Sequence, residues 1–198
     1  MRQPSSFFAN VRPVLYLLAF MAFFFAVFHY SPSFPGKARP PIAIDPADYT
    51  AIDVVYVYDG DTIKLSNGEK VRFVGIDTPE SSKNKKLLRD ARRSGTAVDD
   101  ILRMGHRAGV YTTSLLEGRK VRLEFDIERR DKYGRLLAYV YRVDDGLFVN
   151  EDIIRNGYAY PMTIPPNIRY AEKFRQAFRD ARKDGAGLWQ DSAFQSAR

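Results

Sequence analysis

Three β-rich stretches crowd into residues 51–76, and the turns between them leave little freedom in how they pair. Residues 51–58 (AIDVVYVY), 62–65 and 71–76 are rich in β-branched and aromatic side chains, the residue types that favour a pleated, half-buried surface. Asp59-Gly60 and Asn67-Gly68 separate them, and Asp-Gly and Asn-Gly are strong tight-turn signals. The spacing predicts a meander of three consecutive strands.

Residues 81–118 change to helical spacing, with Val98, Ile101, Leu102, Leu115 and Leu116 as inward positions; Gly105 and Gly109 count against one straight helix. Residues 120–128 (KVRLEFDIE) alternate strictly, which puts Val121, Leu123, Phe125 and Ile127 on one face of a strand. A turn at 131–134 leads into a further strand at 136–143, closed by Asp144-Asp145-Gly146. Asn150 is a candidate N-cap for a short helix ending at Gly157. A last helix is expected to start near Asn167, with Tyr170, Phe174, Ala177, Phe178 and Ala181 as its apolar stripe. Strands and helices in this order suit an α+β fold: a five-stranded OB-type β-barrel with about three packed helices. No internal repeat interrupts it.

Residues 14–30 (VLYLLAFMAFFFAVFHY) carry no formal charge and as a helix would reach roughly 26 Å, near the short end of a membrane span. The stretch is apolar all round, unlike the one-sided helix of a soluble core. Two readings stay open, an uncleaved anchor and a cleaved signal. Aromatic density and the lack of an A-x-A site favour the anchor, with the following domain exported, or secreted or periplasmic if the segment is removed. Residues 31–46 then hold five prolines, the composition of a semi-rigid tether.

Composition narrows the chemistry. With no cysteine among 198 residues there is no disulfide framework, no zinc finger and no thiol nucleophile. His29 and His106 are the only histidines, and His106, without a second imidazole or thiol to cooperate with, reads as structural or exposed. Any metal here must be held by oxygen. The formal charge is +7, but the first 44 residues hold four basic side chains and no acid, so the remaining 154 carry 27 basic against 24 acidic groups. A net +3 is a weak argument for a polyanionic partner.

Asp59, Asp61, Asp77 and Glu80 fall within 22 residues, and the meander brings the first turn next to the end of the third strand. Gathered carboxylates repel unless a cation or basic groups neutralise them. An all-oxygen donor set favours Ca²⁺ or Mg²⁺ over zinc or copper. Strict alternation puts Arg72 and Asp77 on opposite faces, so either Asp77 lies past the strand end or Gly75 allows a bulge.

Asp59-Gly60-Asp61-Thr62, then residues 71–80 (VRFVGIDTPE), then 131–139 (DKYGRLLAY), in that order, resemble the staphylococcal nuclease (thermonuclease) family. The similarity runs from about Ala51 to Trp189, including Val149-Asn150-Glu151 and Gly187-Leu188-Trp189. The resemblance implies that Asp61, Asp77 and the Thr78 main-chain oxygen hold a Ca²⁺ ion, and that Glu80 orients or deprotonates the attacking water. It implies that Arg72 and Arg135 grip the phosphate, that Asp59 tunes the site, and that Lys132 and Tyr133 contact substrate. The activity it implies is hydrolysis of DNA and RNA with little sequence preference, on the 5′ side of the phosphodiester, leaving 3′-phosphates. The organisation that follows is an anchor or signal at 1–30, a Pro-rich linker at 31–48, a thermonuclease-like domain at 49–190 and a tail at 191–198, with no obligate protein partner evident. The rival reading is a non-catalytic OB module binding single strands or a protein at the membrane, since one fold hosts both.

The chain departs from the family pattern in two places. Lys83, Lys85, Lys86, Arg89, Arg92 and Arg93 make a longer basic segment after Glu80, either a solvated face or a phosphate-tracking rim. After Gly157, Tyr158 and Tyr160 do not align with the family's base-stacking tyrosines and read equally well as core. Trp189 is expected to be a core anchor.

Overall fold

The computed structural model describes residues 44–191 and residue 195. The apolar stretch at 14–30 and most of the proline-rich stretch lie outside the described residues, and among those that are described no helix is long and apolar enough to cross a membrane.

The described residues form seven strands: β1 (Ile52–Asp59), β2 (Thr62–Leu65), β3 (Lys70–Phe73), β4 (Ile76–Asp77), β5 (Lys120–Glu124), β6 (Leu136–Arg142) and β7 (Tyr160–Pro161). Five of them close into a barrel in the order β1-β2-β3-β6-β5, while β4 and β7 form a separate two-stranded ribbon. All barrel pairs are antiparallel except β3 with β6, which run parallel with Arg72 opposite Leu137. The period-2 pattern explains the closure. Ile63, Leu65, Val71, Phe73, Val121, Leu123, Leu136, Ala138 and Val140 are all buried, and these alternate positions fill the interior while their neighbours face out.

Among the described residues four helices pack around it: α1 (Lys85–Ser94), α2 (Val98–Leu116), α3 (Val149–Arg155) and α4 (Ala171–Lys183). The helical stretch after Glu80 is therefore two helices, and the break is at neither Gly105 nor Gly109. It comes where Gly95 takes φ +71° as the left-handed cap of α1, its N–H bonding to the Ala91 carbonyl, a common helix stop. α4 buries Phe174, Ala177 and Ala181, the expected stripe. It starts at Ala171 and not near Asn167, because the Asn167 amide is engaged across the fold, accepting from Glu128 N (2.9 Å) and donating to Glu128 O (2.8 Å).

Two further expectations need correction. β5 ends at Glu124, so Phe125 is still buried but Ile127 is 74% exposed; the chain leaves the sheet before the alternating pattern runs out. Asn150 is not a cap: α3 begins at Val149, with Phe148 before it. The Asn150 side chain is fully buried, accepting from Val140 N (2.8 Å) on β6 and donating to Val74 O (2.8 Å) at the end of β3. That amide satisfies two main-chain groups that no strand partner reaches.

The third β-rich stretch also breaks earlier than its composition suggests. β3 stops at Phe73, and Gly75 turns the chain with φ +83°, so Ile76 and Asp77 leave the barrel and pair with Pro161 and Tyr160. A Cβ on Gly75 would lie 2.3 Å from the Phe174 ring, so only glycine fits both the backbone angle and the packing. Ahead of β1 the chain joins the barrel through a short 3-10 turn, Pro46–Tyr49, capped by Asp45. Tyr49 is buried edge-on against Phe125 at 5.5 Å.

The turn between β2 and β3 is clamped to the hairpin between β5 and β6. Arg130 donates from Nη1 to Glu69 Oε2 (2.9 Å) and from Nη2 to Oε1 (2.7 Å), and also bonds the Gly134 carbonyl (2.8 Å). The guanidinium holds the Glu69 carboxyl below its ordinary value of 4.5, against the opposing effect of burial.

Two outcomes are expected from this framework. Asn150→Ala orphans the Val140 N–H and the Val74 carbonyl and should destabilise the protein by about 3 kcal/mol in denaturant unfolding. A loss under 1 kcal/mol would mean that the amide is not what holds the β3 turn. For Arg130→Ala the gap in melting temperature from wild type should be present at pH 7 and narrow as pH falls below 4.5, because a depressed carboxyl contributes stability only while ionised. An equal gap at pH 3 and pH 7 would show that the clamp is not ionic.

Candidate active site

The turn from β1 to β2, the turn after β3 and the hairpin before β6 bring the sequence's acidic and basic candidates to one end of the barrel. Asp61 is 1% exposed. Its Oδ2 accepts from both Thr78 N and Thr78 Oγ1 (3.0 Å each), and its Oδ1 accepts from Thr62 Oγ1 (3.1 Å). Arg72 pairs with the same carboxylate and also donates from Nη2 to Asp77 Oδ1 (3.1 Å) and to Ile76 O (3.3 Å). One guanidinium thus joins the two aspartates, and the alternation problem is resolved by the Gly75 turn, which puts Asp77 on β4.

Asp59, the last residue of β1, accepts from Asp61 N (3.1 Å). Burial pushes its carboxyl up, while Arg72, hydrogen bonding from Thr62, and Arg135 pull it down. Arg135 therefore acts on the acidic cluster, though its own bonds go to Asp131, from Nε (2.7 Å) and from the main-chain N (3.0 Å). Beside it Lys132 and Tyr133 stand out in solvent, Tyr133 being 73% exposed, with the Arg135 guanidinium 5.7 Å and the Lys132 ammonium 5.1 Å from its ring centre.

Glu80 follows Pro79 at the mouth of the site, accepting from Lys86 Nζ (2.6 Å) and Asn84 Nδ2 (2.5 Å). Lys86 also lies 3.4 Å from Asp77 and 3.3 Å from Asp90. The basic segment therefore divides. Lys86 turns in as a shared counter-charge for three carboxylates, while Lys83, Lys85, Arg89, Arg92 and Arg93 remain exposed. Sequence reasoning missed this inward role; the available signal was Lys86 and Asp90 at i, i+4 on one helix face. The Lys86 charge is opposed by burial and favoured by Asp77, Glu80 and Asp90, and the balance lies above its ordinary value.

α2 passes directly beneath this loop. A Cβ on Gly105 would sit 2.3 Å from the Glu80 carbonyl oxygen, so the glycine that looked like a flaw in the helix is where the Glu80 backbone rests.

Tyr160 is buried edge-on to Trp189 at 5.9 Å, and Tyr158 stacks on Tyr111 at 4.2 Å. The packing engages both rings. Trp189 is buried and His106 is exposed, as read from the sequence.

The donor set suits a hard cation, with limits. Asp61 and Asp77 are two buried carboxylates within reach of one guanidinium, and all their donor atoms are oxygen. Among the described residues no three carboxylate, imidazole or thiolate groups are grouped so as to form a metal cage. A cation here would take two carboxylates and a main-chain oxygen from the protein, leaving the rest of its shell to water and ligand.

A family model described as staphylococcal nuclease homologue matches residues 70–191 of this chain, from β3 onward, a span that holds Arg72, Asp77 and Arg135. The chain belongs to that family. It is 37% identical over 167 residues to endonuclease YncB of Bacillus subtilis (strain 168), covering 82% of this chain and 72% of that protein. It is 36% identical over 137 residues to the thermonuclease of Staphylococcus intermedius, covering 68% and 73%. Against the thermonuclease of Staphylococcus hyicus the identity is 34% over 139 residues, covering 69% and 73%.

Gly105→Ala replaces a poor helix former with the best one, a change worth about 1 kcal/mol in favour of an exposed helix. Here the opposite is expected: a lower melting temperature and faster amide exchange at residues 80–82, because the new methyl displaces the Glu80 backbone. A stabilised protein with unchanged exchange would mean that the helix and the loop do not bear on each other.

Proposed function

We propose that this chain is a nuclease that hydrolyses phosphodiester bonds of DNA and RNA with little sequence preference, using Ca²⁺ and leaving 3′-phosphates. The observation that carries the reading is the bridging of Asp61 and Asp77 by Arg72 beside Glu80, in a chain of this family.

Asp61, Asp77 and the Thr78 main-chain oxygen would hold the cation. When bound it would offset the negative charge of the phosphate oxygens and of the two aspartates. Phosphodiester hydrolysis adds negative charge to oxygens that are anionic already, so donors fixed in advance stabilise the transition state more than the ground state. Arg72 is fixed by Asp61, Asp77 and the Ile76 carbonyl, and Arg135 by Asp131. A guanidinium has five N–H donors, so each keeps donors for a phosphate oxygen. Glu80, oriented by Lys86 and Asn84, accepts the proton of the attacking water. The water oxygen bonds to phosphorus as the bond to the 5′-oxygen breaks, and the leaving alkoxide takes up a proton. Exposed Tyr133 and Lys132, on the hairpin that carries Arg135, would contact the sugar and base next to the scissile phosphate.

For the N-terminal region the reading is a membrane tether with the domain exported, supported by the uncharged apolar run at 14–30 and the five prolines after it. If alkaline carbonate washes the full chain from membranes, the tether reading is lost.

The purified full chain, incubated with plasmid and single-stranded DNA, should degrade both with Ca²⁺ and neither with chelator. Arg72→Lys and Arg135→Ala should each slow cleavage by 10²–10³-fold, about 3 kcal/mol, the usual effect of losing one preorganised donor. Glu80→Gln should lower the rate with little effect on binding. Degradation that persists in chelator, or normal cutting by all three variants, would overturn the mechanism.

A further inference from the structure

The outer face of β1–β3 carries a strip of side chains that the site does not use and the interior does not need. The barrel register sets Tyr56 opposite Lys64 and Lys64 opposite Lys70, so the three form one row across the strands. Their sequence neighbours Val57, Ile63, Leu65 and Val71 point inward and are buried. Lys70 stands two residues before Arg72 on the same face of β3, about 7 Å along the strand. The row therefore begins beside the guanidinium that binds Asp61 and Asp77. Tyr58, also outward, closes the gap: its ring lies edge-on to Tyr56 at 5.0 Å and under the Lys70 ammonium at 4.6 Å.

Several properties set this strip apart from ordinary solvated strand surface. Tyr56 and Tyr58 are 52% and 40% exposed, so their rings offer apolar faces to solvent. Among the described residues neither Lys64 nor Lys70 forms an ion pair, whereas Lys120 on β5 pairs with Asp53, and Arg89 and Arg93 on α1 lie near Asp90. Unpaired ammonium groups beside exposed aromatic rings match a ligand that alternates negative charge with flat apolar surface. A single nucleic-acid strand has that chemistry: its phosphates are drawn to lysine, and its unpaired bases stack on tyrosine whatever their sequence. A duplex would offer the lysines its phosphates but keep its bases from the rings.

We propose that Tyr56, Tyr58, Lys64 and Lys70 form a subsite for unpaired nucleotides of the strand whose scissile phosphate meets Arg72. The inference deepens the nuclease reading and rests on it for the position of that phosphate. The strip holds the strand on one side of the cut, so affinity grows with length beyond the nucleotides that fill the site itself.

The test uses the full chain, with binding of fluorescent oligothymidylates of 4 and 12 nucleotides measured by anisotropy in chelator, and cleavage measured separately with Ca²⁺. Wild type should bind the 12-mer more tightly than the 4-mer. Tyr56→Ala/Tyr58→Ala should lose about tenfold on the 12-mer and little on the 4-mer, while Tyr56→Phe/Tyr58→Phe keeps the affinity and shows that stacking, not folding, is at issue. Lys64→Ala/Lys70→Ala should reduce the slope of log affinity against log salt by about 1.4, at 0.7 per phosphate on a single strand. Cleavage of the 4-mer should be unchanged in all three. Equal affinity for both lengths in wild type, or an equal loss on a 12-base-pair duplex when the tyrosines are removed, would overturn the subsite. Length-dependent binding lost in the tyrosine variant, with no cleavage by wild type under any Ca²⁺ concentration, would support the strip and overturn the hydrolase reading instead.

Discussion

The guanidinium of Arg72 is the contact on which this end of the molecule depends. It lies between two buried carboxylates, Asp61 and Asp77, and pairs with both, while Lys86 adds a second positive group beside Asp77. Removing one partner of a buried ion pair leaves an uncompensated charge, which is strongly destabilising. In the proposed mechanism the same group grips the phosphate, so the interaction that makes the acidic cluster tolerable would also make it able to take an anion. Thr78 completes the arrangement through two bonds to Asp61, which lock the loop carrying Asp77 to the turn carrying Asp61.

The scaffold reaches this geometry through a few points where side-chain volume or backbone angle leaves no choice. Gly75 turns the chain out of the barrel against Phe174, Asn150 ties the main chain entering that turn to β6, and Gly105 lets a helix pass under Glu80. None of these residues faces the site. Each fixes the direction of one that does, and small errors in such supporting groups are what loosen a preorganised centre. Lys86 acts from within the site, tying the helix after Glu80 to Asp77 and Glu80 at once.

Most of the barrel could be read in the sequence because alternation and Asp-Gly and Asn-Gly turns are local signals, and a strand buried on one face shows its period directly. What could not be read depended on contacts between distant residues. Ile127 continues the alternation of β5 but lies where the chain leaves the sheet, before pairing with β6 resumes at Arg129 and Arg130. Asn150 looks like a helix cap and Asn167 like the start of the last helix, yet each spends its amide on main-chain groups elsewhere. The acidic cluster and Arg72 were visible as chemistry, with the geometric conflict between Arg72 and Asp77 already pointing to Gly75. Arg135 could be placed near the site only by its motif, because the parallel pairing of β3 with β6 that brings its hairpin alongside has no signature in either strand. Lys86 was one of six basic residues within residues 83–93, and which of them turns inward is decided by the helix, not by the composition.

That parallel pairing has a consequence for when the centre comes into being. β3 and β6 meet across more than sixty residues of chain, and β1 closes on β5 across a similar span, the kind of long-range contact that forms late and slowly. Until the cylinder shuts, Arg135 has no fixed relation to Arg72 and the aspartates. A polypeptide still being made carries every reactive group and no assembled blade. For that interval a nuclease of this architecture has no formed centre with which to meet the nucleic acid around it.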